Sequence, residues 1–317
     1  MSVGALRIPP LARLPTAIAV AAFAFLGLFL LYPLWGVFIA SLLTPDGTDL
    51  TLQNYVKVLS KPFYRASVAN TLSIGLIATA TTTLIAVPLA VCVARLPIPG
   101  KSLLLALAAL PLVLPSFVAA YALVLLFGRS GAATQALHAI GLPFGSIFGK
   151  PGIIVVYTLT LYPYVLLPVL AGLKAIDVSV EEAAQSLGSS PARTFWTVTL
   201  PVVSPAVLAG ALLVFIETLE NFGVPAVLAE DMPILAVEAY KLFVGETAAN
   251  PSAAGVLGVL LILSTATVLA VQRRYLSSRR FATGARRTPP PIAAGPGWRA
   301  LAAVYCWSVV LLALVPF

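Results

Sequence analysis

Four glutamates occupy unusual positions in this sequence. Glu181 and Glu182 lie in a polar stretch, SVEEAAQSLGSSPARTFWTVTLP, which covers residues 179–201 between two apolar runs. Glu217 and Glu220 lie within the apolar run that follows, three residues apart and therefore on one face of a helix. Carboxylates inside an apolar run suit hard cations or a proton relay, whereas carboxylates on a polar surface stretch suit contact with another protein. Which role applies depends on whether the helix that contains each glutamate spans the membrane or lies outside it.

The composition places those elements in a membrane. Of the 317 residues, 60% are hydrophobic and 9% are charged, and the mean hydropathy is +1.02. A soluble domain carries roughly a quarter charged residues, so this chain has too few polar groups to cover a globular surface. Since a span requires about 20 apolar residues, we predict an all-α, polytopic membrane helix bundle. The predicted spans cover residues 16–40, 67–94, 102–127, 152–173, 202–228 and 253–272, and a seventh begins near residue 299.

The distribution of lysine and arginine predicts the orientation. With a cytoplasmic N-terminus, 13 of the 19 Lys and Arg residues fall on the cytoplasmic side and six on the other, in agreement with the positive-inside rule. The polar stretch at 179–201 then faces the cytoplasm. Most of the net charge of +8 lies in the Arg- and Pro-rich segment around 273–298. We interpret this segment as a topology signal that touches anionic lipid headgroups, not as a nucleic-acid site.

The polar stretch itself predicts a helix, a glycine turn and a second helix. Ser179 is the predicted N-cap, and Glu182 three residues later completes a capping box. Gly188 suits the left-handed residue that ends a helix, and Ser190 followed by Pro191 suits the start of the next one. The apolar stripe of the first helix consists of Val180, Ala183, Ala184 and Leu187.

Two interpretations of this short amphipathic hairpin are open on physical grounds. It could lie flat on the membrane surface, or it could dock a partner protein. The second interpretation is favoured by the short length of the segment and by acidic residues that would face an anionic membrane.

The spacing of this stretch resembles a known family. It has Glu182, Ala183 and Ala184, then three residues, Gly188, nine residues and Val198-x-Leu200-Pro201. This is similar to the EAA signature of inner-membrane permeases of binding-protein-dependent ABC importers, in which the loop forms a coupling helix that inserts into a groove on the ATPase subunit. The resemblance implies an EAA loop at residues 175–201. Its implied ATPase-coupling residues are Glu181, Glu182, Ala183, Ala184, Gly188, Leu200 and Pro201.

Further stretches between about residues 60 and 275, including FYRASVANTLSIG and ETLENFGVPAVL, resemble the ferric-iron type of this family. The resemblance implies a type I, MetI-like permease fold. It also implies a function: transport of a small solute, ferric iron as the first candidate, from periplasm to cytoplasm by alternating access. Permeases for thiamine, phosphonate, sulfate and polyamine share much of the pattern and are the alternatives.

This chain is not expected to hydrolyse ATP or to hold a cofactor. The stretch GSIFGKP at 145–151 is one residue short of a P-loop and has proline where magnesium needs Ser or Thr. Cys92 and Cys306 lie in apolar runs and His138 stands apart from both, so no metal site is predicted. The resemblance implies two copies of a separate ATPase subunit, which bind ATP and magnesium, and a periplasmic solute-binding protein.

The sequence predicts four segments and a second permease half as a further partner. The last segment resembles the first span, because LLALVPF parallels LFLLYPLW. We expect it to open a second half, either fused in one chain or replaced by a second copy in a homodimer. The segments are an N-terminal anchor and periplasmic loop at 1–60, a permease core at 61–272 that includes the EAA loop, a cytoplasmic linker at 273–298, and the start of the second half at 299–317.

Glu217, Glu220 and Asn221 are the predicted lining of a translocation path. At 1.5 Å per residue, Glu217 lies about 24 Å from the cytoplasmic side, where an unpaired charge is costly. The alternative is that the carboxylates pair with Lys241 or mark the end of the span. An ion-coupled secondary transporter that uses Glu217 and Glu220 as its relay, and a scaffold or insertase without cargo, are the competing functional classes.

Overall fold

The computed structural model describes residues 13–44, 47–142, 145–245, 250–277 and 295–317. Within these ranges the chain is helical apart from short connections and an isolated bridge between Leu43 and Leu50. Seven helices there are long and apolar enough to cross a membrane, which confirms the predicted all-α bundle. Parts of the predicted anchor and linker, residues 1–12 and 278–294, lie outside the described residues.

The helices of the described chain are, in order, α1 Arg13–Leu26, α2 Tyr32–Leu42, α3 Gln53–Ser60, α4 Pro62–Arg95, α5 Lys101–Ala109, α6 Ser116–Phe127, α7 Ala132–Ala139, α8 Lys150–Lys174, α9 Val178–Ser186, α10 Pro191–Thr194, α11 Leu200–Glu220, α12 Gly223–Leu228, α13 Leu235–Val244, α14 Pro251–Ser277 and α15 Pro296–Leu314. Two π-helical segments, Gly27–Leu31 and Phe195–Thr199, join α1 to α2 and α10 to α11.

The chain divides into two compact units. The first comprises Met1–Lys61 and Ala239–Leu260, and the second comprises Pro62–Glu238 and Leu261–Phe317. In the first unit the side chain of Asn54 donates to the carbonyl oxygens of Ser41 and Leu43, at 3.0 and 2.8 Å. The hydroxyl of Ser252 donates to the same Leu43 oxygen at 3.0 Å. These bonds join α2, α3 and the beginning of α14.

The second unit is built around α4, α8 and α11. Lys150 donates to the Ser73 hydroxyl at 2.6 Å, and the hydroxyls of Thr81 and Thr158 are 2.7 Å apart. Both pairs are separated by 77 residues in sequence, so α4 and α8 run parallel and in register. Their C-terminal ends, Arg95 and Lys174, therefore lie at the same end of the unit, whereas α4 extends beyond the start of α8 at the other end.

Glycines let α11 approach the other two central helices closely. A Cβ atom on Gly210 would lie 2.7 Å from the Cα atom of Val165 in α8, and one on Gly75 of α4 would lie 3.0 Å from the Thr218 hydroxyl. Because the contact at Gly210 involves backbone atoms, a larger side chain there cannot be accommodated without separating the helices. At Gly75 the neighbouring side chains would have to shift by a few tenths of an ångström.

Two of the predicted spans are not single helices. The run at 102–127 is interrupted between α5 and α6, where Pro111 lies in a short 3₁₀ turn and Pro115 is extended. Proline lacks a backbone donor and disfavours helix in the residue before it, and two such residues four apart end the helix. The run at 202–228 breaks at Asn221, whose backbone is extended, and α12 follows as a separate element.

The last helix, α15, packs in the core of the second unit. Tyr305 donates to the carbonyl oxygen of Ile85 at 2.8 Å, and the Trp307 indole donates to the carbonyl oxygen of Pro99 at 3.1 Å. Cys306 is fully buried there. These bonds attach α15 to the C-terminal third of α4 and to the turn that leads into α5.

Candidate functional site

The first helix of the EAA loop begins earlier than its sequence predicts. Asp177 is the N-cap of α9, and its carboxylate accepts a hydrogen bond from the backbone of Ser179 at 3.0 Å. The predicted capping box of Ser179 and Glu182 is therefore wrong. Both residue types cap helices well, and the helix starts at the earlier one, so that Ser179 falls inside its first turn.

The glycine turn after α9 is confirmed. Gly188 has a φ of +87° and its N–H donates to the carbonyl of Gln185 at 2.9 Å, while the N–H of Ser189 donates to the carbonyl of Ala184 at 3.1 Å. This pair of bonds is a Schellman motif, which satisfies the last carbonyls of a helix and needs a left-handed residue.

The second helical turn also begins as predicted. The Ser190 hydroxyl accepts from the backbone of Arg193 at 3.4 Å, and Pro191 is the first helical residue. The chain continues through the π-helical segment Phe195–Thr199 directly into α11. Leu200 and Pro201 therefore form the first turn of α11, where both are partly buried.

The apolar stripe of α9 is uncovered. None of the nine residues of α9 is buried, and Val180 is 46% exposed. Leu187, which follows the helix, is 89% exposed. Ala183 and Glu182 are exposed beside them. Apolar faces of this kind, rimmed by polar residues, are typical of interaction sites.

One acidic residue of the loop is not part of that exposed surface. A single oxygen of the Glu181 carboxylate lies 2.6 Å from the Arg95 guanidinium and accepts a hydrogen bond from the Thr199 hydroxyl at 2.7 Å. The side chains of Arg95 and Glu181 are only 7% and 14% exposed. Glu181 therefore joins α9 to the last residue of α4 and to the residue before α11.

The predicted path residues lie at the other end of α11. Glu217 is partly buried beside Tyr164 of α8, and Glu220 is exposed. The Asn221 amide donates to the Ser116 hydroxyl at 2.8 Å, and its oxygen accepts from the backbone of Val224 at 3.0 Å. These bonds hold the end of α11 to the start of α6 and to α12.

In the described ranges, no three His, Cys, Asp or Glu side chains come together as a metal site. His138 is exposed near the end of α7, and Cys92 of α4 and Cys306 of α15 are neighbours.

Sequence comparison identifies the family. Residues 83–281 match the family model of binding-protein-dependent transport system inner membrane components. The chain belongs to this family. This permease is a multi-pass inner-membrane subunit of an ABC transporter and not an enzyme; the family works with a separate ATPase and a periplasmic binding protein.

Relatives of the permease differ in the solute for which they are named. The sulfate transport system permease of Synechococcus elongatus is 30% identical over 258 residues, which is 79% of this chain and 87% of that protein. A ferric transport system permease of Actinobacillus pleuropneumoniae is 25% identical over 260 residues, and these make up 80% of this chain but 37% of that protein. The resemblance to permeases is thus confirmed at the level of the family, and ferric iron is one of several solutes for which the relatives are named.

A solved structure confirms the fold. A chain of a bacterial alginate ABC transporter, in complex with its alginate-bound periplasmic protein, superposes with a TM-score of 0.71 at 17% identity, covering 86% of this chain and 96% of that chain. At 17% sequence identity, this structural similarity supports the permease fold and no statement about the transported solute.

Sequence reasoning missed the contacts of Arg95 and Thr199 with Glu181, which lie behind the exposed face of α9. Arg95 is one of 13 Lys and Arg residues predicted on the side of the EAA loop, and Thr199 lies in a stretch without a distinctive pattern. The parallel register of α4 and α8, which brings Arg95 close to the loop that follows α8, becomes visible only in the structure.

Proposed function

We propose that this permease moves a small solute from periplasm to cytoplasm by alternating access, driven by two copies of a separate ATPase that bind ATP and magnesium. The N-terminus and the EAA loop face the cytoplasm, and a second permease half, fused or in a second copy, completes the pathway. The observation that carries this proposal is the uncovered apolar face of α9, in a loop with the spacing of the family signature.

The chemistry of that face suits a protein groove. Full burial of one leucine side chain contributes roughly 1.5–3 kcal/mol, and Leu187 is almost fully available for it. The small side chains of Ala183 and Ala184 allow a partner's backbone to come close. Glu182, exposed in the first half of α9, offers a carboxylate for a cation of the partner.

Co-purification of the ATPase with the permease tests this docking. Glu182→Lys reverses a charge in the exposed face, and Gly188→Pro removes both the left-handed turn and its N–H donor. We expect each variant to lose most of the bound ATPase and solute uptake. Asp231→Lys makes the same change of charge at an exposed residue of the connection between α12 and α13 and should retain the ATPase. If Glu182→Lys and Gly188→Pro bind the ATPase like the parent, α9 is not the docking element.

We propose an inorganic ion as the cargo, with ferric iron as the first candidate because Glu217 and Glu220 supply carboxylates near one end of α11, the ligand type that hard cations prefer. Sulfate is the second candidate, favoured by the match that covers 87% of a sulfate permease.

Uptake of radiolabelled ferric iron and of sulfate in a strain that lacks the gene, with and without the restored permease, decides between the two cargos. Restored iron uptake alone supports the first candidate, and restored sulfate uptake alone rejects it in favour of the second. Restoration of neither ion rejects both candidates.

A further inference from the structure

We propose that Arg95, Glu181 and Thr199 form a joint that transmits movement of the docked α9 to the membrane helices α4 and α11. This inference rests on the proposed docking of an ATPase at α9. The three residues are positioning residues: they bind neither nucleotide nor solute, and they act by holding α9 in a fixed relation to two helices of the bundle.

The geometry of the joint connects three elements through one atom. The same oxygen of Glu181 contacts the Arg95 guanidinium at 2.6 Å and the Thr199 hydroxyl at 2.7 Å. Arg95 is the last residue of α4, and Thr199 directly precedes α11. A displacement of α9 therefore moves the ends of both helices together, unless the shared hydrogen bonds break.

The joint is shielded from water, which makes it stiff. Arg95 and Glu181 are 7% and 14% exposed, and Thr199 is buried. A charge pair in such surroundings strongly resists separation, because each charge would be left without either a partner or full hydration. Exposed pairs are far weaker, so the burial of this pair is what allows it to carry force.

Glu181 is also the main side-chain attachment visible for α9. The helix has no fully buried residue, and only Val178 and Ala184 among its apolar residues are partly buried, so hydrophobic packing contributes little to its attachment. Thr199 is the last residue of the π-helical segment Phe195–Thr199. Such π-helical turns are frequent at functional positions within longer helices. The loop thus contains a rigid contact at Glu181 beside a segment of irregular helical winding.

A purely structural role predicts a different result from a transmitting role. If the joint only stabilised the fold, its loss would lower the amount of assembled transporter and reduce ATP hydrolysis and transport in the same proportion. If the joint transmits motion, its loss leaves ATPase binding and hydrolysis in place while transport per ATP falls. The ratio of solute transported to ATP hydrolysed separates the two roles.

The experiment uses the complete importer, with its ATPase and binding protein, in proteoliposomes supplied with ferric iron in one arm and sulfate in the other. Arg95→Gln removes the charge, and Thr199→Val removes the hydroxyl with little change of shape. We expect both variants to keep the ATPase bound and hydrolysing ATP. Transport per ATP should fall about tenfold in Arg95→Gln, within the usual range of coupling between sites, and less in Thr199→Val. The double change Arg95→Glu with Glu181→Arg should restore part of the ratio.

An unchanged ratio in both single variants overturns the joint, and so does a fall in transport that merely follows a fall in ATP hydrolysis. If Arg95→Gln fails to assemble, the nearly isosteric Thr199→Val decides the question. The docking proposal is tested separately: loss of the ATPase in Glu182→Lys together with an unchanged ratio in Arg95→Gln rejects the joint alone. Retention of the ATPase in Glu182→Lys rejects the docking on which the joint rests.

Discussion

Glu181 and Glu182 are neighbours in the chain but have different surroundings. Glu181 is enclosed between Arg95 and Thr199, whereas Glu182 is exposed on α9. Adjacent residues of a helix point about 100° apart, so one residue of the pair can face the bundle while the other faces a partner. This separation divides the predicted coupling residues into an inward attachment and an outward contact.

The left-handed backbone conformation at position 188 explains why this residue is a glycine. Its φ is +87° and an added Cβ would meet no atom within 4 Å, so a substitution is penalised by conformation and not by collision. We expect Gly188→Ala to weaken ATPase binding, because a β-carbon costs roughly 1–2 kcal/mol in the left-handed region.

Gly188→Asn is the matched control, since asparagine tolerates the left-handed conformation. Binding of the purified ATPase to the permease in detergent, measured by titration, compares the two variants with the parent. Equal weakening by alanine and asparagine would mean that the position contributes something other than backbone conformation.

At the scale of elements, the close crossing of α8 and α11 depends on Gly210. A Cβ there would lie 2.7 Å from the Cα atom of Val165 and 2.8 Å from the carbonyl oxygen of Tyr164. Gly210→Ala should therefore push the helices apart and destabilise the protein by about 1–3 kcal/mol, as overpacking does.

The apparent unfolding temperature of the purified permease measures this effect. Gly36→Ala serves as the control, because Gly36 lies in helix α2 and an added Cβ there meets nothing within 4 Å. A Gly210→Ala variant that unfolds at the same temperature as the control would show that the crossing is not tight.

Hydropathy predicts the existence of the membrane helices well, because every span must satisfy its backbone internally and present about 20 apolar residues. It does not predict where a long apolar run is divided. The break between α5 and α6 depends on two prolines that act together, whereas Pro88, Pro163 and Pro168 lie inside continuous helices.

The candidate site is only partly predictable for a related reason. Gly188 and Ser190 are determined locally, by φ and by capping, and the sequence predicts both. The pairing of Glu181 with Arg95 joins residues 86 positions apart and depends on the register of α4 and α8. The choice of Asp177 over Ser179 as cap is local, but both residues are competent caps, and the sequence alone does not rank them.

At the scale of the whole molecule, the packing of α15 against α4 can be tested directly. Cys92 of α4 and Cys306 of α15 are neighbours, and the chain has two cysteines. Mild oxidation of the full-length protein in membranes should produce an intramolecular disulfide, seen as faster migration without reductant.

The single variants Cys92→Ser and Cys306→Ser are the controls and should show no such shift. A cross-link that forms only between two copies of the chain would mean that α15 packs on a neighbouring molecule. In that case the contacts of Tyr305 and Trp307 would belong to an assembly and not to one chain.

The most direct test of the central claim, that α9 faces the cytoplasm and is covered by the ATPase, is the reaction of Ser186→Cys with a membrane-impermeant maleimide. The background is the variant without Cys92 and Cys306, and Ser186 is exposed on α9. We expect no labelling in intact cells, rapid labelling in inverted membrane vesicles without the ATPase, and protection when the ATPase is present. Labelling in intact cells, or unchanged labelling in vesicles that contain the ATPase, would contradict the account.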